Sequence, residues 1–115
     1  MIIRAALAIL RRIMAPRRRI AYREYLASPH WQTKREAYWR YRATKGPPSC
    51  ESCGATDRPL DLHHNHYRTV GDERYGDLTP LCRDCHDDVH RIARWPGQTL
   101  ESALRMVKLR NLRRG

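Results

Sequence analysis

"LTPLCRDCHDDVH" (residues 78–90) sets two cysteines three apart and two histidines four apart in one short run. Cys82 and Cys85 form one Cys-x-x-Cys pair. A second, Cys50 and Cys53, precedes it with 28 residues between and Gly54 directly behind. Two thiolates on one tight turn, twice over, make the ligand set of a closed tetrahedral Zn²⁺ site. Four sulfurs leave no position open, so this ion is structural, and it stabilises the fold because the unfolded chain has no cage. Gly54 suits the tight turn behind the first pair. Two redox-active pairs, or cysteines buried by chance, are the alternative reading of the same four residues.

With the cysteines occupied, the histidines are free for a second site. The run from about Arg83 to Ala93 reads as a helix stopped before Pro96-Gly97, so His86 and His90 project from one face. "LDLHHNHY" (60–67) reads as a short strand through Leu60 and Leu62 that carries His63 and His64. His63 can complete three ligands with His86 and His90, leaving open positions for a phosphate oxygen and water, as at a catalytic ion. His64, the next strand residue, points broadly the other way. An imidazole with a pKa of about 6.5 is a candidate general base there. Its second ring nitrogen needs an acceptor; Asp77 is the first candidate and a backbone carbonyl the second. His66 is assigned to the surface or to substrate contact, and His30 to the surface. Asp84, Asp87 and Asp88 read as favourable charges near a helix N-terminus rather than as ligands.

A chain of 115 residues with 41% hydrophobic residues and no Phe allows one domain with a small core that gains from a staple. The formal net charge of +11 is uneven. Residues 1–45 carry 12 basic against 2 acidic residues, 46–90 carry 4 against 9, and 91–115 carry 7 against 1. An acidic Cys/His module thus lies between two basic arms, which favours a polyanionic partner such as nucleic acid. Residues 1–20 form a basic extension, 21–98 the domain with its motif core at 50–90, and 99–115 a basic C-terminal helix. In "LASPHWQTKREAYWRYRATKG", Ser28 suits a helix N-cap and Pro29 the first turn. Trp31, Tyr38 and Tyr41 fall on a core side, and Lys34, Arg35, Arg40 and Arg42 on a side suited to phosphate contact. Gly46-Pro47-Pro48 ends that helix, and "YRTVGDERYGD" is a loop or hairpin return. Thr99 caps the last helix, Leu100, Leu104 and Val107 form its buried stripe, and Arg113 and Arg114 are available to phosphates. No run reaches the ~18 apolar residues of a membrane span, and "MIIRAALAIL", broken by Arg4, makes a poor signal peptide; both point to the cytoplasm.

"CESCG…LDLHHNHYRTVGDERYGDLTPLCRDCHDDVH" resembles the HNH endonuclease family in its four-cysteine, zinc-stapled branch common in phages and prophages. "YLASPHWQTKREA" resembles the helix that precedes the motif in phage-type members. The resemblance implies an α+β fold: a small ββα-metal, treble-clef-like core with flanking basic helices and a structural zinc held by the four cysteines. It implies His63, His86 and His90 as ligands of one catalytic divalent ion (Mg²⁺, Mn²⁺, Ni²⁺, Co²⁺ or Zn²⁺) and His64 as the general base. Asp77 stands where many members carry the name-giving Asn, and it can accept a hydrogen bond from His64 or ligate the ion itself. "GDE" (71–73) resembles a "G-N-E" of these relatives, with Glu73 orienting the loop or a water near the ion. The implied activity is metal-dependent hydrolysis of DNA phosphodiesters, nicking or cutting both strands at low specificity and leaving 5′-phosphate and 3′-hydroxyl ends. Implied partners are DNA and, in phage DNA processing, packaging proteins such as terminase and portal, in a bacterial host cell. The alternative is a catalytically inactive, zinc-stapled nucleic-acid-binding module.

Overall fold

The computed structural model describes residues 22–114, apart from the side chain of Arg114. The basic extension at 1–20 and the contact assigned to Arg114 lie outside the described residues. Two compact units divide the chain, Met1–Lys34 and Arg35–Gly115. The described elements run α1 (Pro29–Ala43), β1 (Leu60–His64), a 3-10 turn (Tyr75–Asp77), β2 (Leu78–Cys82), α2 (Arg83–Ala93) and α3 (Leu100–Arg114). This is a small α+β fold with a two-stranded antiparallel sheet. No described helix is long and apolar enough to cross a membrane.

Local chemistry accounts for each boundary. Ser28 Oγ accepts from the Trp31 backbone N–H at 3.2 Å, the N-cap bond that starts α1 at Pro29. Past Ala43 the chain turns through Gly46, whose φ of 114° suits a residue without Cβ. Thr99 and Ser102 exchange bonds at the start of α3: Ser102 N–H donates to Thr99 Oγ1 at 3.0 Å, and Thr99 N–H donates to Ser102 Oγ at 2.8 Å. In α2 the N-cap residue is Cys82, which makes no side-chain cap bond.

β1 and β2 pair in the register Asp61↔Leu81 and His63↔Thr79. Strand alternation therefore sets Asp61, His63, Thr79 and Leu81 on one face and His64 on the other. Pro80 donates no hydrogen bond, but its carbonyl accepts from Glu51 N–H at 2.9 Å and ties the first cysteine turn to β2. The core joins Cys50, Leu81, Cys82 and Cys85 to Val89 and Ile92 of α2 and to Ala103, Leu104 and Val107 of α3. The C-terminal helix therefore contributes Ala103, Leu104 and Val107 to this core.

The aromatic side of α1 splits. Trp31 and Tyr38 are buried, but Tyr41 is 39% exposed and stacks on Tyr75, with ring centroids 4.3 Å apart. Tyr41 is thus a surface aromatic rather than a core residue. Its partner comes from the 3-10 turn, which helical periodicity cannot foresee.

Candidate metal centre

Cys50, Cys53, Cys82 and Cys85 converge with their sulfurs within 4.8 Å of one another, close enough to hold a metal ion. The first turn closes through Gly54, whose N–H donates to Cys50 O at 2.8 Å and whose φ is 80°. Burial disfavours the charged thiolate at Cys50, Cys82 and Cys85. At Cys50, N–H groups of Cys53, Cys82 and Ser52 outweigh that and draw the thiol down to about 7. At Cys85, burial and the neighbouring sulfurs push the thiol up. Four thiolates this close repel one another, and a dication is what lets all four ionise together. Asn111 of α3 reaches the same place, donating from Nδ2 to Ser52 Oγ at 2.6 Å and lying 3.8 Å from Cys85 Sγ.

The second cluster lies between β1 and α2. His63, His86 and His90 offer ring nitrogens that also fall within 4.8 Å of one another. His63 is 1% exposed, and neither its Nδ1 nor its Nε2 has a hydrogen-bond partner. Buried polar nitrogens are ordinarily paired. An orphaned ring nitrogen that converges with those of two other imidazoles fits a bound cation. Burial first, then the charges of His86 and His90, push the His63 pKa down to about 3, and burial likewise lowers that of His90. Both rings are therefore held in the neutral form that ligates metals. His86 Nε2 and His90 Nε2 stand 3.2 Å apart, and His86 Nδ1 lies 2.9 Å from Asp61 Oδ2.

His64 is arranged differently from the sequence expectation. Its acceptor is Glu73, not Asp77: Nε2 lies 2.7 Å from Glu73 Oε2, with the two side chains 2% and 0% exposed. The loop turns back at Gly71, with φ of 95°, and the Gly71 N–H holds the other carboxylate oxygen of Glu73 at 3.1 Å. Asp77 is instead consumed in closing the 3-10 turn. It accepts from Arg74 N–H and from Thr69 Oγ1, both at 2.9 Å, and faces His66 Nε2 at 3.2 Å. The Arg74 N–H holds its carboxyl below the usual range. His66 is thus partnered within the loop, while His30 is exposed as expected.

Of the basic residues assigned to phosphate contact, Arg40 and Arg113 are exposed, and Lys34 and Arg35 are half-buried. Arg42 lies 4.0 Å from Glu51, which engages it in an internal ion pair. Asp88 meets Arg91 and Arg110 at 3.1 and 2.7 Å, in keeping with a charge role rather than ligation. Asp61 and Asn111 are not among the residues that motif spacing singles out. Asp61 was detectable in principle, since it precedes His63 by two on a strand and so shares its face; nothing local marked Asn111. No protein-family model, curated protein or solved structure matches this chain.

Proposed function

We propose that this chain is a metal-dependent DNA endonuclease with a ββα-metal core, built from β1, β2 and α2 and pinned by zinc in the four-cysteine cage. The observation that carries the reading is the buried His63 ring, its nitrogens without hydrogen-bond partners and one of them converging with a ring nitrogen each of His86 and His90. A divalent ion bound there supplies Lewis-acid stabilisation of the charge that develops on a phosphodiester and its leaving oxygen. His63, His86 and His90 present neutral nitrogens to it. His64, on the opposite face of β1, serves as the general base, with its Nε2 set against the Glu73 carboxylate, which orients the ring. Asp77 takes the supporting part of shaping the loop that delivers Glu73. The net charge of +11, with Arg40, Arg105 and Arg113 exposed, supports a polyanionic substrate.

One observation favours a second reading. The near-complete burial of the His64 and Glu73 side chains suits a structural latch, which would make the chain a zinc-pinned nucleic-acid-binding module without catalysis. Supercoiled plasmid incubated with the purified chain and a panel of divalent ions separates the two. Nicked or linear product should form only with an added ion and vanish in His63→Ala and His64→Ala, with DNA retention and circular dichroism unchanged. Retention without cleavage under every ion would leave the binding module; wild-type cutting by His64→Ala would remove His64 as the base.

A further inference from the structure

Asp61 reaches from β1 to α2 twice. Its Oδ2 lies 2.9 Å from His86 Nδ1 and its Oδ1 lies 3.2 Å from Arg83 Nη2. Arg83 and His86 are three residues apart and share one face of the helix. A carboxylate only accepts hydrogen bonds, so the proton between Asp61 and His86 belongs to Nδ1. The lone pair of His86 is then on Nε2, the atom that faces His90 Nε2 at 3.2 Å. Reversing the tautomer would put a proton where a cation must sit.

We propose that Asp61 is the positioning residue of the three-histidine centre, fixing His86 in the tautomer and orientation that turn Nε2 toward a divalent ion shared with His63 and His90. The inference rests on the metal-binding reading of that centre. A carboxylate behind a ligating imidazole also raises its basicity, and losing such a partner typically weakens metal binding by roughly 10–100-fold. Arg83 steadies the free oxygen of the carboxylate from the surface, where its side chain is 70% exposed. The pair therefore ties ligand orientation to the packing of α2 on β1.

Cobalt(II) titration of the full chain, with zinc already in its four-cysteine cage, reads the second site through visible d–d absorption and competition for affinity. Asp61→Ala should bind Co²⁺ roughly 10–100-fold more weakly than wild type while remaining folded, and Asp61→Asn, which keeps an acceptor without the charge, should fall between. Nitrogen-15 correlation spectra of the imidazoles without Co²⁺ give a readout that a purely structural role would not move. His86 should carry its proton on Nδ1 in wild type and lose that preference in Asp61→Ala. Wild-type Co²⁺ affinity in Asp61→Ala, with His86→Ala weakened, would overturn the role of Asp61 alone. A wild-type chain that takes up no Co²⁺ beyond its cage zinc would overturn the metal reading and this inference together.

Discussion

His63→Leu should stabilise the protein when the histidine centre is empty and abolish the stabilisation that an added ion confers. The ring is 1% exposed, and both nitrogens lack partners. With its pKa pushed down to about 3, the ring is neutral at pH 7.5, so the relevant burden is a buried neutral donor and a buried neutral acceptor. Leaving each unsatisfied costs about 1–3 kcal/mol. Leucine of similar bulk removes both, against a shape mismatch of up to about 1.5 kcal/mol. The net gain is about 0.5–6 kcal/mol, and each kcal/mol raises Tm by about 4–8 °C for a domain this size. An ion at a hundred times its Kd should stabilise wild type by about 2.7 kcal/mol and the variant by almost nothing. Urea melts at pH 7.5 test this, on protein dialysed until metal analysis finds only the cage zinc, with and without added Co²⁺. The order of the two melts should narrow or reverse when the ion is added. If the ion-free variant loses more than about 1 kcal/mol, as an ordinary disrupted core would, then the His63 nitrogens have partners and the argument for a cation fails. An undiminished Co²⁺ response in the variant refutes it equally.

Cys85→Ser should unfold the chain at 25 °C, because a structural zinc contributes about 10–16 kcal/mol in small zinc domains against a typical stability of about 5–15 kcal/mol; a wild-type melt by circular dichroism would show that the cage holds no ion. For pH, His63 has a folded pKa below the ordinary imidazole value, so its contribution to ion-free stability is complete above about pH 6.5 and is lost as pH falls toward 3, by about 1.4 kcal/mol per pH unit. Urea midpoints at pH 7.5, 6 and 5 should decline faster in wild type than in His63→Leu; parallel declines would contradict the assignment. Glu73→Ala removes the acceptor of the buried His64 Nε2 and should cost about 1–3 kcal/mol in a urea melt, whereas Glu73→Gln keeps an acceptor and should cost less; equal losses would mean the bond contributes nothing specific.

How legible each part was depends on the range of the interaction behind it. Both clusters were readable because their spacings are short and periodic. Cys-x-x-Cys fits one turn, His86 and His90 fit one helical step, and His63 follows on a strand of alternating pattern. The caps at Ser28 and Thr99 are likewise local and were readable from residue type alone. From sequence Glu73 reads only as a loop- or water-orienting residue, since a loop of residues 65–77 has no periodicity from which to deduce which carboxylate returns to β1. Tyr41 shows the same limit from the other side. Its helical position suits a core face, yet Tyr75 from the turn meets it in the open.

The amino-acid sequence alone determined that four thiols and three imidazoles would be set at ligand spacings on a turn, a strand and a helix, because turns, helices and strands repeat over a few residues. Only the tertiary structure decided which acceptor each histidine meets: Glu73 for His64, Asp77 for His66, Asp61 for His86. Those pairings join residues up to 25 positions apart. They depend on how the loop folds back and how α2 lies on β1, and no repeat along the chain encodes either.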